Sequence, residues 1–199
     1  MTSWDERYGK DEYFYGVEAN DFLREQAAQI APGALVLCLG EGEGRNAAFL
    51  ASLGLRVIAL DQSAVGLAKA ERLAAARGLR IDTVVADLAD YRIEPGRYGA
   101  IVSIWCHLPS ALRRRVHAQI VAGLAPGGVL ILEAYVPAQI ARGTGGPRDP
   151  DLLPTLAELR RDFAALEIGR GEECERIVVE GTGHQGPSAV VQLVAKKPG

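Results

Sequence analysis

The segment Val36-Leu37-Cys38-Leu39-Gly40-Glu41-Gly42-Glu43-Gly44-Arg45-Asn46 joins a short apolar run, a turn with glycine at every second position, and the start of a helical pattern. Glycines let a chain reverse sharply and let a ligand approach the backbone, and a helix starting there offers N–H groups without partners. Two carboxylates follow at matching places. Asp61 closes the next apolar run, 17 residues after Gly44, and Asp87 closes the run after that. An acid at the first place accepts from both hydroxyls of a ribose. One at the second accepts from the amino group of an adenine, so three successive strand ends read a nucleoside. The predicted binding set is Gly40, Glu41, Gly42, Gly44, Asn46, Asp61, Gln62, Asp87 and Leu88, with Ile104 and Trp105 at the end of a fourth run. A dinucleotide fits this pattern poorly. Its G-x-G-x-x-G spacing asks for glycine where Arg45 stands, and Glu41 and Glu43 repel a pyrophosphate while attracting a cation. The plainer alternatives are a structural turn for the glycines, a helix N-cap for Asp61 and a solvated loop acid for Asp87.

Histidine titrates near neutral pH, which makes His107 and His184 the candidate proton acceptors. His107 lies in Trp105-Cys106-His107-Leu108-Pro109 after the fourth run, and His184 in the glycine-rich stretch 181–187. His117 and the run Arg113-Arg114-Arg115 are expected on a solvated helix face. Cys38, Cys106 and Cys174 form no C-x-x-C pair, so neither a disulfide framework nor a zinc site is signalled, and no metal is expected. Trp4, Tyr8, Tyr13, Phe14 and Tyr15 crowd aromatic side chains into the amino terminus, as a staple to the core or as a lid over a site.

Holding these groups together takes strands ending side by side. Residues 35–39, 56–60, 83–86, 100–104 and 129–132 are apolar throughout, as suits parallel strands covered on both faces. Helical patterns at 46–53, 64–77 and 110–124 separate them, the last with Ser110 as N-cap and Leu112, Val116, Ile120 and Leu124 in one stripe. Alternating strand and helix predicts an α/β fold with a doubly wound, mostly parallel sheet and helices on both faces. A glycine- and proline-rich loop at 137–154 is expected near the substrate site, then a helix from a Thr155–Glu158 capping box to about Leu166. Runs at 177–180 and 189–195 predict a closing antiparallel hairpin, giving seven strands in one domain over 1–199.

With 48% hydrophobic residues, the 199-residue chain can fill one sizeable core. A net charge of −3 gives no global attraction to nucleic acid or to an anionic membrane. The amino terminus has no apolar signal segment, and no run reaches the roughly 18 apolar residues of a membrane span, so a cytoplasmic location is expected.

The glycine turn resembles the first motif of the class I S-adenosylmethionine-dependent methyltransferases. Asp61 and Asp87 fall where that family makes its ribose and adenine contacts, and Leu124-Ala125-Pro126-Gly127-Gly128 resembles a further hallmark. The resemblance runs over roughly residues 20–199. It implies a Rossmann-like fold, S-adenosylmethionine as cofactor, S-adenosylhomocysteine as product, and a small-molecule acceptor without nucleic acid or membrane, in a monomer or homodimer. Where the family often has an acid two residues before the first glycine, this chain has Cys38, which shifts the ammonium contacts toward Glu41. Gly42-Glu43-Gly44-Arg45-Asn46 with Phe49-Leu50-Ala51, the segment Leu156–Arg160 and the late His184 are similar to the tellurite-resistance methyltransferases and their thiopurine and thiol relatives. That similarity implies thiols or selenium and tellurium oxyanions as acceptors. In the tellurite enzymes arginine follows the histidine; here Gln185 does. The alternatives are a non-catalytic S-adenosylmethionine-binding protein and a methyltransferase acting on a macromolecule, which would normally show a basic face or an added recognition domain.

Overall fold

The computed structural model describes residues 3–199. Its strands are β1 (Leu35–Leu39), β2 (Arg56–Asp61), β3 (Asp82–Val85), β4 (Tyr98–Ile104), β5 (Leu124–Tyr135), β6 (Glu167–Glu180) and β7 (His184–Lys196). They form one sheet in the order β3-β2-β1-β4-β5-β7-β6. The first five are parallel, and β7 runs antiparallel to both β5 and β6. The helices are α1 (Ser3–Tyr8), α2 (Asp21–Gln26), α3 (Arg45–Ser52), α4 (Ala64–Ala76), α5 (Ser110–Gly123) and α6 (Leu156–Asp162). The fold is the doubly wound α/β sheet with a carboxyl-terminal hairpin. After β3 the chain returns to pair β4 with β1 and then builds in the other direction. Such a reversal leaves a crevice at the carboxyl ends of β1 and β4, where open α/β sheets bind ligands.

The central strands β1, β2 and β4 are apolar and buried along nearly all of their length because both faces are covered, whereas the edge strands β3 and β6 are more polar and exposed. On β1, Leu37 and Leu39 enter a core with Val116 and Ile120 of α5 and Leu159 of α6. Val36 and Cys38 enter the opposite core with Phe22 and Leu23 of α2, Leu50 of α3 and Leu67 of α4. Among the described residues, no helix is long and apolar enough to cross a membrane.

Several expectations need correcting. Ser110 is not the N-cap of α5: Pro109 holds that position without a side-chain bond, and Asp151 accepts from the Ser110 N–H at 3.0 Å. The Thr155–Glu158 capping box is present, but α6 stops at Asp162, with Phe163 as C-cap. The hairpin strands are longer than predicted, so His184 opens β7 and only residues 181–183 form the turn. His117 is buried, with Nδ1 at 2.7 Å from Asp162, and burial lowers its pKa. Arg113 is buried too, 3.2 Å from Glu158. His117 and Arg113 thus tie α5 to α6, whereas Arg114 and Arg115 are exposed as expected.

The amino-terminal segment is fastened by one buried ammonium. Lys69 of α4 is 2% exposed. Its Nζ donates to the carbonyls of Lys10 at 2.8 Å and Glu12 at 2.6 Å and pairs with Glu43 at 2.5 Å. It also faces the Tyr13 ring, with Nζ 4.8 Å from the ring centre. The second Glu43 oxygen accepts the Phe14 N–H at 2.7 Å. Replacing Lys69 by Met strands the Glu43 charge and frees the segment. The variant should lose about 3–5 kcal/mol in urea unfolding, and its first twenty or so residues should become accessible to limited proteolysis.

Candidate functional site

The crevice is a cavity of about 520 Å³, a size suited to a nucleoside-sized ligand. Its floor is the ends of β1, β2 and β4. Its cover is the amino-terminal segment, through Trp4, Arg7, Tyr8, Phe14 and Tyr15, and its far wall holds Gly145–Pro147, Leu152 and residues 182–184. The structure brings Gly40, Glu41, Asn46, Asp61, Gln62, Asp87, Leu88, Ile104, Trp105, His107 and His184 to its lining. Gly42 and Gly44 are not on it. Both have positive φ, at 62° and 88°, and their bare Cα faces answer packing needs. A Cβ on Gly42 would lie 2.7 Å from the Tyr8 hydroxyl, and one on Gly44 would lie 2.3 Å from the Ala70 Cβ. At Gly42 and Gly44 the glycine turn is required by packing against Tyr8 and Ala70.

The strand-end carboxylates carry structural duties. Asp61 accepts the Gly42 N–H at 2.8 Å with Oδ2 and the Ser63 N–H at 2.8 Å with Oδ1, which ties the β1 turn to the start of α4. Glu41 accepts the Ala47 N–H at 2.8 Å with Oε1 and so caps α3. Asn46 accepts the Asn20 N–H at 3.0 Å, and Asp87 accepts the Ala89 N–H at 2.8 Å. Burial raises the pKa of Asp61 despite these bonds, and burial pushes Glu41 up to about 7. Both gain from a cationic ligand beside them.

At the far end the charges are already matched. Glu180 accepts from Arg45 Nη2 at 2.6 Å and from the Trp105 indole N–H at 2.6 Å, lies 3.2 Å from His184 Nδ1, and takes Asn20 Nδ2 at 2.9 Å. Burial opposes its ionisation, but the His184 hydrogen bond and the Arg45 charge outweigh this and hold its pKa down to about 2. Arg176 forms a two-pronged pair with the fully buried Glu133, at 2.9 and 2.7 Å. Trp105 has φ of 56°, the only positive value for a non-glycine among the described residues. Such strain costs about 1–3 kcal/mol and has to be held by its surroundings. Here the indole bond to Glu180 and stacking on Tyr135, with ring centres 4.3 Å apart, hold it.

The two histidines differ. His107 Nε2 accepts the Tyr135 N–H at 3.1 Å, so its lone pair is in use. Burial, with His184 adding to it, lowers the His107 pKa to about 3 and keeps the ring neutral. The residues that sequence reasoning missed are Arg7, Asn20, Glu133, Arg176 and Glu180. Of these only Arg7 carried a local signal, its place among the amino-terminal aromatics. Among the described residues, Arg7 pairs with no carboxylate; it bonds the Tyr15 hydroxyl at 2.9 Å and faces the Trp4 ring at 4.6 Å. No group of three metal-ligating side chains occurs among the described residues.

Residues 36–128 match the methyltransferase domain family. No curated protein sequence matches the chain. Solved structures match the fold along nearly all of it. One comes from work on converting a disulfide bond into a thioacetal group during echinomycin biosynthesis: TM-score 0.75, 21% identity, 98% of this chain and 92% of that one. TehB from Haemophilus influenzae gives 0.72, 19% identity, 98% of this chain and 65% of its own. The N-methyltransferase NodS from Bradyrhizobium japonicum WM9, in complex with S-adenosylhomocysteine, gives 0.71, 16% identity, 99% and 97%. Residues 36–128 are thus similar to the domain of a methyltransferase enzyme, and the strand-end crevice suits S-adenosylmethionine.

Glu41 gives a pH test. Because its pKa is raised on folding, its burial costs nothing below about 4.5 and the full penalty above about 7. Glu41→Gln keeps an acceptor for Ala47 and removes the charge. The cofactor-free variant should melt a few degrees higher than the parent at pH 8 and at nearly the same temperature at pH 4. Equal melting at pH 8 would contradict the assignment.

Proposed function

We infer that this chain transfers a methyl group from S-adenosylmethionine to a small soft nucleophile, a thiol in preference to a selenium or tellurium oxyanion. The carrying observation is the division of charge along one cavity. Glu41, Asp61 and Asp87 leave one half of the cavity negative, whereas Arg45 on its wall and Arg176, 5.8 Å from the lining Trp105 ring, are already paired with Glu180 and Glu133. The donor set fits the cofactor. Asp61 with Gln62 would hold the ribose and Asp87 with Leu88 would read the adenine. The negative turn suits a sulfonium and an ammonium, and the unpaired Arg7 suits the α-carboxylate.

Bound S-adenosylmethionine supplies an electrophilic methyl group and its own leaving group. The protein therefore has mainly to align the acceptor and keep water out. Trp4, Tyr8, Phe14 and Tyr15 cover the cavity, and Trp105, His107, Leu108, Pro147 and Leu152 give the acceptor an apolar and aromatic surround. An oxyanion placed there would meet no unpaired guanidinium except Arg7, which the cofactor uses. A thiol needs none. Sulfur also figures in the echinomycin neighbour, whose work concerns a disulfide and a thioacetal.

Transfer of labelled methyl groups from S-adenosylmethionine to thiols, selenite and tellurite tests the reading. Thiols should be methylated at least about tenfold faster than the oxyanions; the reverse order would overturn the acceptor assignment. Arg7→Met should weaken S-adenosylmethionine binding by about 10- to 100-fold, the value of a hydrogen bond to a charged group. Adenosine, which has no carboxylate, should bind both proteins alike in a calorimeter.

A further inference from the structure

Of the two imidazoles that line the cavity, one has its geometry set by a carboxylate. His184 is 4% exposed and lines the cavity. Its Nδ1 lies 3.2 Å from Glu180 Oε2. Its ring is fixed on three sides, by Tyr15 at 4.8 Å, Trp105 at 5.2 Å and Tyr135 at 5.2 Å between ring centres. The Nε2 edge faces the cavity loop, since a Cβ on Gly145 would come 2.8 Å from Cδ2, and no described group bonds Nε2. Glu180 itself cannot turn away. Arg45, Trp105 and Asn20 donate to it as described, and Arg176 stands 3.8 Å from its Oε1.

We propose that Glu180 is a positioning residue that holds His184 as the Nδ1–H tautomer and so leaves Nε2 to take the proton of a weakly acidic thiol in the aromatic chamber. The inference rests on the thiol reading above and adds to it the device that ionises the thiol. An ionised carboxylate can only accept, so the Nδ1 facing it carries the hydrogen and Nε2 keeps its lone pair. The thiol proton passes to Nε2, and the S–H electron pair stays on the acceptor sulfur. That sulfur forms its bond to the methyl carbon as the methyl–sulfonium bond breaks. The electrons of the broken bond remain on the cofactor sulfur, which becomes a neutral thioether. The imidazolium left behind faces the Glu180 charge and later returns its proton to water. His107 cannot substitute, because its Nε2 is occupied by the Tyr135 N–H.

The charged and titratable groups around the ring give the expected direction. Glu180 and, behind it, Arg176 face it from β6, Tyr15 from the amino-terminal segment, Tyr135 from β5 and His107 from the loop after β4, while Arg45 of α3 reaches it only through Glu180. Glu180 is the one anion among them, and it offsets the charge that His184 gains on taking the proton.

The test combines acceptor acidity with a spectroscopic readout. With 2-mercaptoethanol, a thiol still protonated at pH 7.5, Glu180→Gln and His184→Gln should each lower kcat by about 100-fold, the scale of general base catalysis. With 4-nitrothiophenol, already ionised, the loss should be at least tenfold smaller. Equal losses for the two thiols would make the pair purely structural and overturn the proposal. Should Glu180→Gln fail to fold once Arg45 loses its partner, His184→Gln carries the comparison. Long-range proton–nitrogen spectra of the cofactor-free parent should show His184 as the Nδ1–H tautomer at pH 8, and the Nε2–H form would equally overturn it. Because that spectrum needs no cofactor, it judges the pair even if S-adenosylmethionine fails to bind, an outcome that would instead overturn the functional reading beneath it.

Discussion

The ionised carboxylate of Glu180 sets the condition that the far half of the molecule has to meet. Burying an ion with too few partners costs several kcal/mol. Here the donors come from separate parts of the chain: Asn20 before α2, Arg45 at the head of α3, Trp105 after β4 and His184 at the start of β7. Each is thereby fixed relative to the others. The backbone strain at Trp105, the orientation of His184 and the junction between the hairpin and the parallel sheet all follow from satisfying this one charge. Asn20 extends the arrangement by bonding Glu133 at 2.7 Å as well, so that a single amide links two buried acids.

The same cavity treats its acids in two ways. Glu180 is held ionised by cations that the protein itself supplies. Glu41 and Asp61 are left with backbone N–H partners, and burial raises their pKa values. An acid short of positive charge is a place for a cation to arrive, whereas a compensated one is framework. On the proposed reading, the division separates a part of the cavity for a charged cofactor from a part for a neutral, polarisable acceptor. It also explains why Arg45, which heads α3 beside the glycine turn, is not an anion site: its guanidinium is committed to Glu180.

The fold was readable because its signals are local. Uninterrupted apolar runs, helix formers between them and the Thr155–Glu158 box all act within a few residues of themselves. The cavity-lining acids Asp61 and Asp87 were readable for a related reason, since they follow directly from where strands end. Glu180 was not, because its partners are as far as 160 positions away in the chain. Lys69 sits among alanines and leucines on α4, and nothing nearby says that it will bind the carbonyls of Lys10 and Glu12. His117 and Arg113 were misread for the same cause: a polar residue on a helix looks solvated until its partner on another helix is known. Gly42 and Gly44 show a subtler limit. Their spacing marked a binding turn, yet the close approaches that require glycine there are made by Tyr8 and Ala70.

The central claim is that the strand-end crevice takes S-adenosylmethionine through a negative turn and two strand-end acids. Calorimetric titration of purified protein, shown to be folded and cofactor-free, with S-adenosylmethionine, S-adenosylhomocysteine and NAD tests it most directly. Micromolar binding of the first two with no heat from NAD is the predicted result. Absence of binding to the first two, or preference for NAD, would contradict the account.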